Sequence, residues 1–391
     1  MISRAERSHI GDWWWTIDRL LLAAFGLLML IGMVMAMAGS PPVAERLGLP
    51  TFHFVHRQFL YLIPAAALAL AASFLSPRHV RRAALLVFFG SMALIVAALL
   101  FGHEVKGSRR WIFGVQPSEF LKPAFVVMAA WAFAEGAKRR DLPGTIVAMA
   151  ILPFTIVPLI LQPDFGQTML ICIIWGALFF MAGLHNFWLI GLGGAAVSGA
   201  ALAYKFAPHV RARVLKFIEP TTGAAGDGFQ VSTALESFVS GGWLGKGPGE
   251  GTVKRILPDS HTDFSFAVMG EEFGVIACLV LAAIFYFIVV RGLNAAARNR
   301  DPFCRLAAAG LVMLFGFQSL INMAVNLQLM PAKGMTLPFI SYGGSSLISL
   351  ALGAGFLIAV TRKRPVSGLE QIRNVSSPQD FGEDFGEGAL A

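Results

Sequence analysis

The stretch Leu257-Pro-Asp-Ser-His-Thr-Asp-Phe-Ser-Phe-Ala-Val-Met-Gly-Glu-Glu-Phe-Gly274 decides how the whole chain is interpreted. It places a carboxylate, Asp263, where a polar loop becomes a helix apolar enough to cross a bilayer. An ionisable residue at that boundary can meet both a water-borne group and a lipid-borne group. Loops that carry chemistry are positioned by a rigid scaffold. The rest of the sequence predicts that this scaffold is a bundle of membrane helices.

The composition is that of an integral membrane protein. Hydrophobic residues make up 56% of the 391 residues and charged residues 14%, and the mean hydropathy is +0.67, far more apolar than a soluble domain. A helix needs about 20 apolar residues to span hydrocarbon. We predict an all-α membrane protein with about ten transmembrane helices and a long extracytoplasmic loop, 206–264, between helices 7 and 8. The predicted spans are roughly 20–38, 58–76, 83–102, 118–135, 142–161, 167–184, 187–205, 265–290, 304–325 and 342–361.

Clusters of basic residues predict the orientation. If the spans alternate, clusters within 78–82, 138–140, 291–300 and 362–364 share one side, which the positive-inside rule makes cytoplasmic. The net charge of +8 follows largely from these clusters, and no basic stripe interleaved with aromatic residues indicates nucleic-acid binding.

The same orientation divides the chain into three segments. We expect a cytoplasmic N-terminal segment over 1–16, a polytopic membrane domain over 17–364 and a disordered cytoplasmic tail over 365–391. The tail is assigned from its acidic, polar composition. Both termini are therefore expected on the cytoplasmic side.

Several cations fall on the opposite, outer side of the membrane. Lys106, Arg109 and Arg110 follow the third span, Lys246 lies in the long loop, and Lys333 precedes the tenth span. Short outer loops are normally poor in lysine and arginine. These cations either anchor the bundle to lipid headgroups or hold an anionic ligand at the outer face.

Polar residues at the ends of two spans have alternative interpretations. Glu119 and Lys122 lie three residues apart in the fourth span, where charges are usually paired or functional. They form either an internal ion pair or a substrate contact. Asp164 precedes the sixth span and is placed to cap that helix.

Asp263 itself also has more than one interpretation. Thr262 or Asp263 is placed to cap the eighth helix, and a carboxylate there could equally act as a catalytic base. Asp259, His261 and Asp263 alternate, a pattern that would suit a hard cation. The residues alone leave capping, catalysis and metal binding open.

A series of motifs through the membrane domain resembles the SEDS family of bacterial cell-wall proteins (shape, elongation, division and sporulation). In chain order they are Gly107-Ser-Arg-Arg-Trp-Ile112, Gln116-Pro-Ser-Glu-Phe-Leu-Lys122, Gln162-Pro-Asp-Phe-Gly166, Gly228-Phe-Gln230, Ser240-Gly-Gly-Trp-Leu-Gly-Lys-Gly247, His261-Thr-Asp-Phe264, Gly270-Glu-Glu-Phe-Gly274 and Pro331-Ala-Lys-Gly-Met-Thr-Leu-Pro-Phe-Ile-Ser-Tyr-Gly-Gly-Ser-Ser346. Lys333 in the last motif resembles the division branch of the family. Departures are modest, such as Phe229 for the usual tyrosine and Asp259 for the usual glutamate.

The resemblance implies a peptidoglycan glycosyltransferase of the bacterial cytoplasmic (inner) membrane that polymerises lipid II during septal wall synthesis. Its implied partners are a class B penicillin-binding protein, other divisome proteins and the surrounding membrane lipids. A divalent cation, Mg²⁺ or Mn²⁺, is a candidate cofactor. Asp263 is the implied general base. The implied substrate-binding residues are Arg109, Glu119, Lys122, Asp164, Gln230, Lys246, Thr262, Lys333 and Ser341.

Two other functions compete with catalysis: flipping lipid II across the membrane, and serving as a scaffold that recruits the transpeptidase. A flippase is expected to keep polar residues along a path at mid-membrane depth. Here the charged residues concentrate at the outer ends of the predicted spans. That distribution favours chemistry at the outer face.

The predicted orientation can be tested with reporter fusions. Fusions placed after Arg82, Lys138 and Arg364 should report a cytoplasmic location, and a fusion near Asp227 should report the outer side, because basic clusters mark the cytoplasmic ends. A cytoplasmic signal at Asp227 would contradict the placement of Asp263 at the outer face.

Overall fold

The computed structural model describes residues 9–105, 108–138, 144–183, 227–257, 259–331 and 334–363, with isolated positions between 191 and 215. The chain divides into two units, Met1–Ile17 with Arg362–Ala391, and Asp18–Thr361. In the smaller unit, helix α1 (His9–Thr16) contacts the residues that follow the last helix, Arg362 and Lys363. The Thr16 carbonyl accepts a hydrogen bond from the Lys363 amide, and the Thr16 hydroxyl accepts one from Arg362.

In its described residues, the larger unit is built from helices and one short hairpin. In chain order its elements are α2 (Arg19–Gly39), α3 (Pro41–Arg46), α4 (His53–Ser73), α5 (Pro77–Phe101), β1 (His103–Val105), β2 (Ser108–Trp111), α6 (Pro117–Lys138), α7 (Gly144–Leu161), α8 (Phe165–Met181), α9 (Asp227–Gly241), a 3₁₀ turn (Val253–Arg255), α10 (Ser265–Ala297), α11 (Pro302–Asn326) and α12 (Gly344–Thr361). Strands β1 and β2 pair antiparallel.

The helices agree with the predicted spans. Among the described residues, eight helices are long and apolar enough to cross a membrane, and the shorter α8 is also apolar. Each predicted span except the seventh coincides with one of these nine helices. The seventh, at 187–205, is described only at isolated positions, and the tail after 364 lies outside the described residues, so those two predictions stay predictions.

Three helices form the centre of the bundle. The most apolar 18-residue stretch is 61% buried in α6 and 67% buried in both α11 and α12. In the other candidate spans at most 39% of that stretch is buried. Small residues allow close packing there, as they commonly do between membrane helices. A Cβ on Gly310 of α11 would lie 2.6 Å from Val126 of α6, and one on Gly355 of α12 would lie 2.6 Å from the Ala69 carbonyl of α4.

Helix α10 is broken near its N-terminus. Gly274 has φ 79° and ψ 176°, outside the helical range. A continuous helix of 33 residues would be about 50 Å long, well beyond the roughly 30 Å of hydrocarbon in a bilayer. The break separates a short buried N-terminal half, 265–273, from a half that is long enough to span by itself.

The loop that follows α9 fills this break. The amides of Val275 and Ile276 donate to the carbonyls of Gly242 and Trp243 at 3.0 and 3.3 Å. In return, the amides of Lys246 and Gly247 donate to the carbonyls of Glu271 and Glu272 at 2.9 and 3.0 Å. An unpaired backbone group in a membrane costs several kcal/mol. The exchange therefore stabilises the break and fixes the loop to α10.

Replacing Gly274 with Ala should destabilise the protein. The Cβ would overlap the Trp243 carbonyl oxygen, and the backbone would stay at a φ that L residues avoid. We expect a loss of about 2–4 kcal/mol, measured as a lower midpoint of thermal unfolding in detergent. Gly26→Ala is the matched control, since nothing lies within 4 Å of its Cβ. Equal stability of both variants would contradict this account of the break.

Candidate active site at one end of the bundle

The ends of several helices converge at the side that the sequence predicts to be external. The amide of Tyr342, before α12, donates to the His261 carbonyl, before α10, at 2.8 Å. The ring of Phe54 in α4 lies 4.8 Å from that of His261. A Cβ on Gly39, at the end of α2, would lie 3.7 Å from the His261 Cα. The turn that contains Asp263 is thus contacted by α2, α4 and the segment that precedes α12.

A tight turn presents Asp263 just before α10. The Asp259 carbonyl accepts hydrogen bonds from the amides of Thr262 and Asp263, each at 3.1 Å, and from the Thr262 hydroxyl at 3.2 Å. Asp259 has φ 54°, a left-handed conformation that aspartate tolerates better than most residues. The turn leaves Asp263 half-buried at the end of the bundle.

A residue of another helix binds the first turn of α10. Its N-cap position is Phe264, which makes no side-chain capping hydrogen bond. The amide of Ala267 in the first turn donates to the side-chain carbonyl of Asn326, at the end of α11, at 3.1 Å. Thr262 and Asp263 therefore lie outside the N-cap position itself, and an amide of the first turn is bound by a residue 59 positions away along the chain.

The segment that follows Lys333 lies against Asp263. A Cβ on Gly334 would be 3.8 Å from the Oδ2 atom of Asp263, so the carboxylate is next to this segment. Lys333 lies outside the described residues, and its predicted role stays a prediction. Ser341 is buried, and its hydroxyl accepts a hydrogen bond from the Leu337 amide at 2.9 Å. In this structure Ser341 fixes the turn before α12.

An aromatic cluster lies beside the Asp263 turn. The ring centroids of Phe54, His261 and Tyr342 are 4.8–5.3 Å apart. Burial raises the pKa of the Tyr342 phenol above its usual value, and Arg57, which hydrogen-bonds to it, opposes that shift. The phenol therefore stays protonated at physiological pH. Sequence patterns did not single out Phe54 or Arg57, because their relation to Asp263 depends on long-range packing.

A buried ion pair occupies the centre of the bundle. The Lys122 ammonium lies 2.7 Å from the Glu119 carboxylate and donates to the Gln318 side chain at 2.9 Å. Glu119 also accepts a hydrogen bond from Gln167 at 2.7 Å. Both charged side chains are at least 94% buried. The ion pair predicted from their spacing is confirmed, and the pair joins α6 to α8 and α11.

A second charged pair links the hairpin to the start of α8. Arg110 donates to the carbonyls of Gln162 and Pro163, and its guanidinium lies 3.7 Å from the Asp164 carboxylate. Asp164 occupies the N-cap position of α8, as expected, but its side chain makes no capping hydrogen bond. Burial raises the pKa of Asp164, and Arg110 opposes the shift.

The hairpin register distinguishes two neighbouring arginines. Arg109, the predicted substrate-binding residue, has an exposed side chain on β2, whereas the Arg110 side chain is partly buried and faces Asp164. Successive strand residues point to opposite faces. The sequence placed Arg110 among the outer cations but not among the site residues. Recognising β2 as a strand would have shown that Arg109 and Arg110 point to opposite faces.

A third cluster surrounds the two glutamates before the break in α10. The Glu271 carboxylate accepts hydrogen bonds from the amides of Thr252, Val253 and Lys254 at 2.6–2.9 Å. Glu272 pairs with the buried Lys254 ammonium. These interactions fasten the 3₁₀ turn onto α10, so the amides that could hold an external anion there already bind an internal carboxylate.

Two further predicted substrate-binding residues, Lys246 and Gln230, lie in the part of the chain from α9 to the third cluster. The Lys246 ammonium is partly exposed, 3.1 Å from the Thr252 hydroxyl and 3.6 Å from Glu271. Gln230 is half-buried in α9.

In the part of the chain that the structure describes, no three His, Cys, Asp or Glu side chains cluster as metal ligands. A three-residue metal site at Asp259, His261 and Asp263 is therefore absent there.

Together these observations describe a polytopic helical membrane protein with a charged, hydrogen-bonded site at one end of the bundle. The sequence matches the family model of cell cycle proteins FtsW, RodA and SpoVE over residues 18–365. The chain belongs to this family.

Relatives and solved structures support the assignment. The chain is 46% identical to a probable peptidoglycan glycosyltransferase FtsW of Caulobacter vibrioides, covering 93% of this chain and 94% of the relative. It is 35% identical to the Legionella pneumophila protein of that name, covering 88% and 90%. A chain from a peptidoglycan synthase complex that coordinates polymerization and crosslinking matches with a TM-score of 0.73 and 26% identity, covering 89% and 99%. The crystal structure of Thermus thermophilus RodA matches with a TM-score of 0.64 and 25% identity, covering 90% of this chain and 99% of that one.

The buried ion pair generates a stability prediction. Lys122→Met leaves the Glu119 carboxylate buried without its cation, which should cost about 3–5 kcal/mol. Adding Glu119→Gln should recover much of that loss, because the buried charge is removed. Lys138→Met is the control, since Lys138 pairs with Asp301 at the surface and such pairs contribute about 0–1 kcal/mol. Thermal unfolding in detergent measures all three. A double variant less stable than Lys122→Met would contradict the ion-pair account.

Proposed function

We propose that this chain is a peptidoglycan glycosyltransferase that polymerises lipid II at the outer face of the cytoplasmic membrane, with Asp263 as general base. The observation that carries the proposal is the position of Asp263. It lies half-buried on a tight turn, beside Gly334, at the end of the bundle that the sequence predicts to be external. The N-cap position of α10 is Phe264, and the Ala267 amide of its first turn donates to Asn326 on another helix.

The proposed reaction forms one glycosidic bond for each disaccharide unit that is added to the chain. The 4-hydroxyl oxygen of the acceptor N-acetylglucosamine bonds to the anomeric carbon of the donor, and its proton passes to the Asp263 carboxylate. The bond between the anomeric carbon and the pyrophosphate oxygen breaks, and polyprenyl pyrophosphate leaves with the electron pair. Lipid II places its pyrophosphate at the depth of the headgroups, where the outer end of this bundle lies.

The leaving group requires positive charge as the bond breaks. We assign direct contact with the pyrophosphate to Arg109, whose side chain is exposed, to Lys246, which is partly exposed, and to Lys333. Lys122 is buried against Glu119, so its proposed part is to hold α6 in place rather than to meet substrate in this conformation. A divalent cation, Mg²⁺ or Mn²⁺, would add further charge.

The family and its relatives suggest where the protein works and with what. The matching chain from a peptidoglycan synthase complex favours a similar complex here. We propose a class B penicillin-binding protein as the transpeptidase partner, because a glycan polymer strengthens a wall only after crosslinking. We also propose a septal location with other divisome proteins, and cytoplasmic termini.

Replacing Asp263 with Asn tests the base directly. Asn keeps the size of the side chain but cannot accept the proton, so polymerisation should fall by about two orders of magnitude or more. Asp259→Asn in the same turn is the matched control, since asparagine tolerates its positive φ, and it should stay within about threefold of the wild type. The assay uses purified protein and lipid II in detergent, with and without the partner.

The same assay separates the competing functions. Detergent has no sidedness, so a flippase or a scaffold would form no glycan polymer under any condition. Polymer formation by the wild type together with near-normal synthesis by Asp263→Asn would preserve the enzyme but eliminate Asp263 as its base. Membrane abundance and partner binding should be unchanged in Asp263→Asn.

A further inference from the structure

Three amide side chains form a row on α11. Gln318, Asn322 and Asn326 are spaced by four residues, so they lie on one face of the helix, and each is at least 98% buried. Burying an amide without a hydrogen bond costs several kcal/mol. Their hydrogen bonds therefore show what this face of α11 is built to hold.

Asn322 connects the two chain segments that meet at Asp263. Its side-chain nitrogen donates to the backbone carbonyl of Asp263 at 2.9 Å and to that of Met335 at 2.6 Å. An amide nitrogen carries two hydrogens, so both are used. One side chain thus ties the end of the Asp263 turn to the segment that begins beside Gly334.

Asn326 holds the same carbonyl from the next turn of the helix. Its nitrogen donates to the Asp263 carbonyl at 3.1 Å and to the Asn322 carbonyl at 2.9 Å. Its side-chain oxygen accepts a hydrogen bond from the Ala267 amide. Asn322 and Asn326 therefore supply two donors to the Asp263 carbonyl, as many as its lone pairs accept.

Gln318 extends the row to the buried ion pair. Its oxygen accepts a hydrogen bond from Lys122, and its nitrogen donates to the Thr336 carbonyl at 3.1 Å. Met335 and Thr336 are thus bound by consecutive members of the row. The segment 334–336 and the Asp263 turn are fixed to one rigid helix.

We propose that Asn322 and Asn326 are positioning residues for Asp263, an inference that rests on the proposed catalytic role of that carboxylate. Neither side chain is assigned a contact with lipid II. Each acts through the backbone of Asp263. The carbonyl oxygen that accepts their hydrogen bonds is two covalent bonds from the Cα atom that bears the side chain. A displacement of about 1 Å at a reacting group can reduce a rate about 100-fold.

The test compares variants that remove the donors in steps. Asn322→Leu removes both donors at similar volume, and Asn322→Ser keeps one donor in a shorter side chain. We expect kcat for polymerisation to fall about 10- to 100-fold in Asn322→Leu and less in Asn322→Ser, with KM for lipid II unchanged. Ser319→Ala is the matched control, because Ser319 is buried on the same helix and its hydroxyl donates to the Phe315 carbonyl of that helix.

A purely structural role predicts a different pattern. It would lower the yield or the unfolding midpoint and leave kcat per folded molecule unchanged, and that result would overturn the proposal. Folded protein is therefore counted by monodisperse elution and partner binding. Equal losses of kcat in Asn322→Leu and Ser319→Ala would also overturn it.

A double variant keeps this inference separate from the proposed base. Residues that act as a unit are not additive, so Asn322→Leu should cause no further loss in the Asp263→Asn background. A further tenfold loss there would contradict positioning through Asp263. Full activity of Asp263→Asn would refute the base itself, whereas full activity of Asn322→Leu beside an inactive Asp263→Asn would refute only the positioning role.

Discussion

The structure depends on one constraint: backbone polar groups buried in a membrane bundle require hydrogen-bond partners. Helix α10 leaves such groups open at its first turn and at the break near Gly274. Asn326 accepts an amide of the first turn, and the loop 241–247 exchanges four hydrogen bonds with the break. Other parts of the chain thus complete α10, and residues distant in sequence hold the turn that precedes it.

The same principle organises the charges. Each buried charge in the described site has a partner of opposite sign: Lys122 with Glu119, Lys254 with Glu272, and Arg110 with Asp164. Buried ion pairs add little net stability, but they fix the helices that carry them. Arg109, whose side chain is exposed, and the partly exposed Lys246 remain accessible to an anionic lipid headgroup.

Much of the architecture could be predicted from the sequence, because span length and hydropathy are local properties. The Glu119–Lys122 pair was also predictable, since both residues lie on one helix turn. The trans cap by Asn326 was not, because it joins residues far apart in the chain. The inward position of Arg110 required knowledge of the hairpin, which is too short for a periodic signal. The break at Gly274 was hidden inside an apolar run.

The pH dependence of single-turnover polymerisation tests the central claim most directly. If Asp263 is the base, the wild-type rate should fall about tenfold for each unit of pH below one apparent pKa. Asp263→Glu should move that acid limb, because the new carboxylate has a different length and environment. The residual rate of Asp263→Asn should lack the limb. An unchanged acid limb in Asp263→Asn would show that another group accepts the proton.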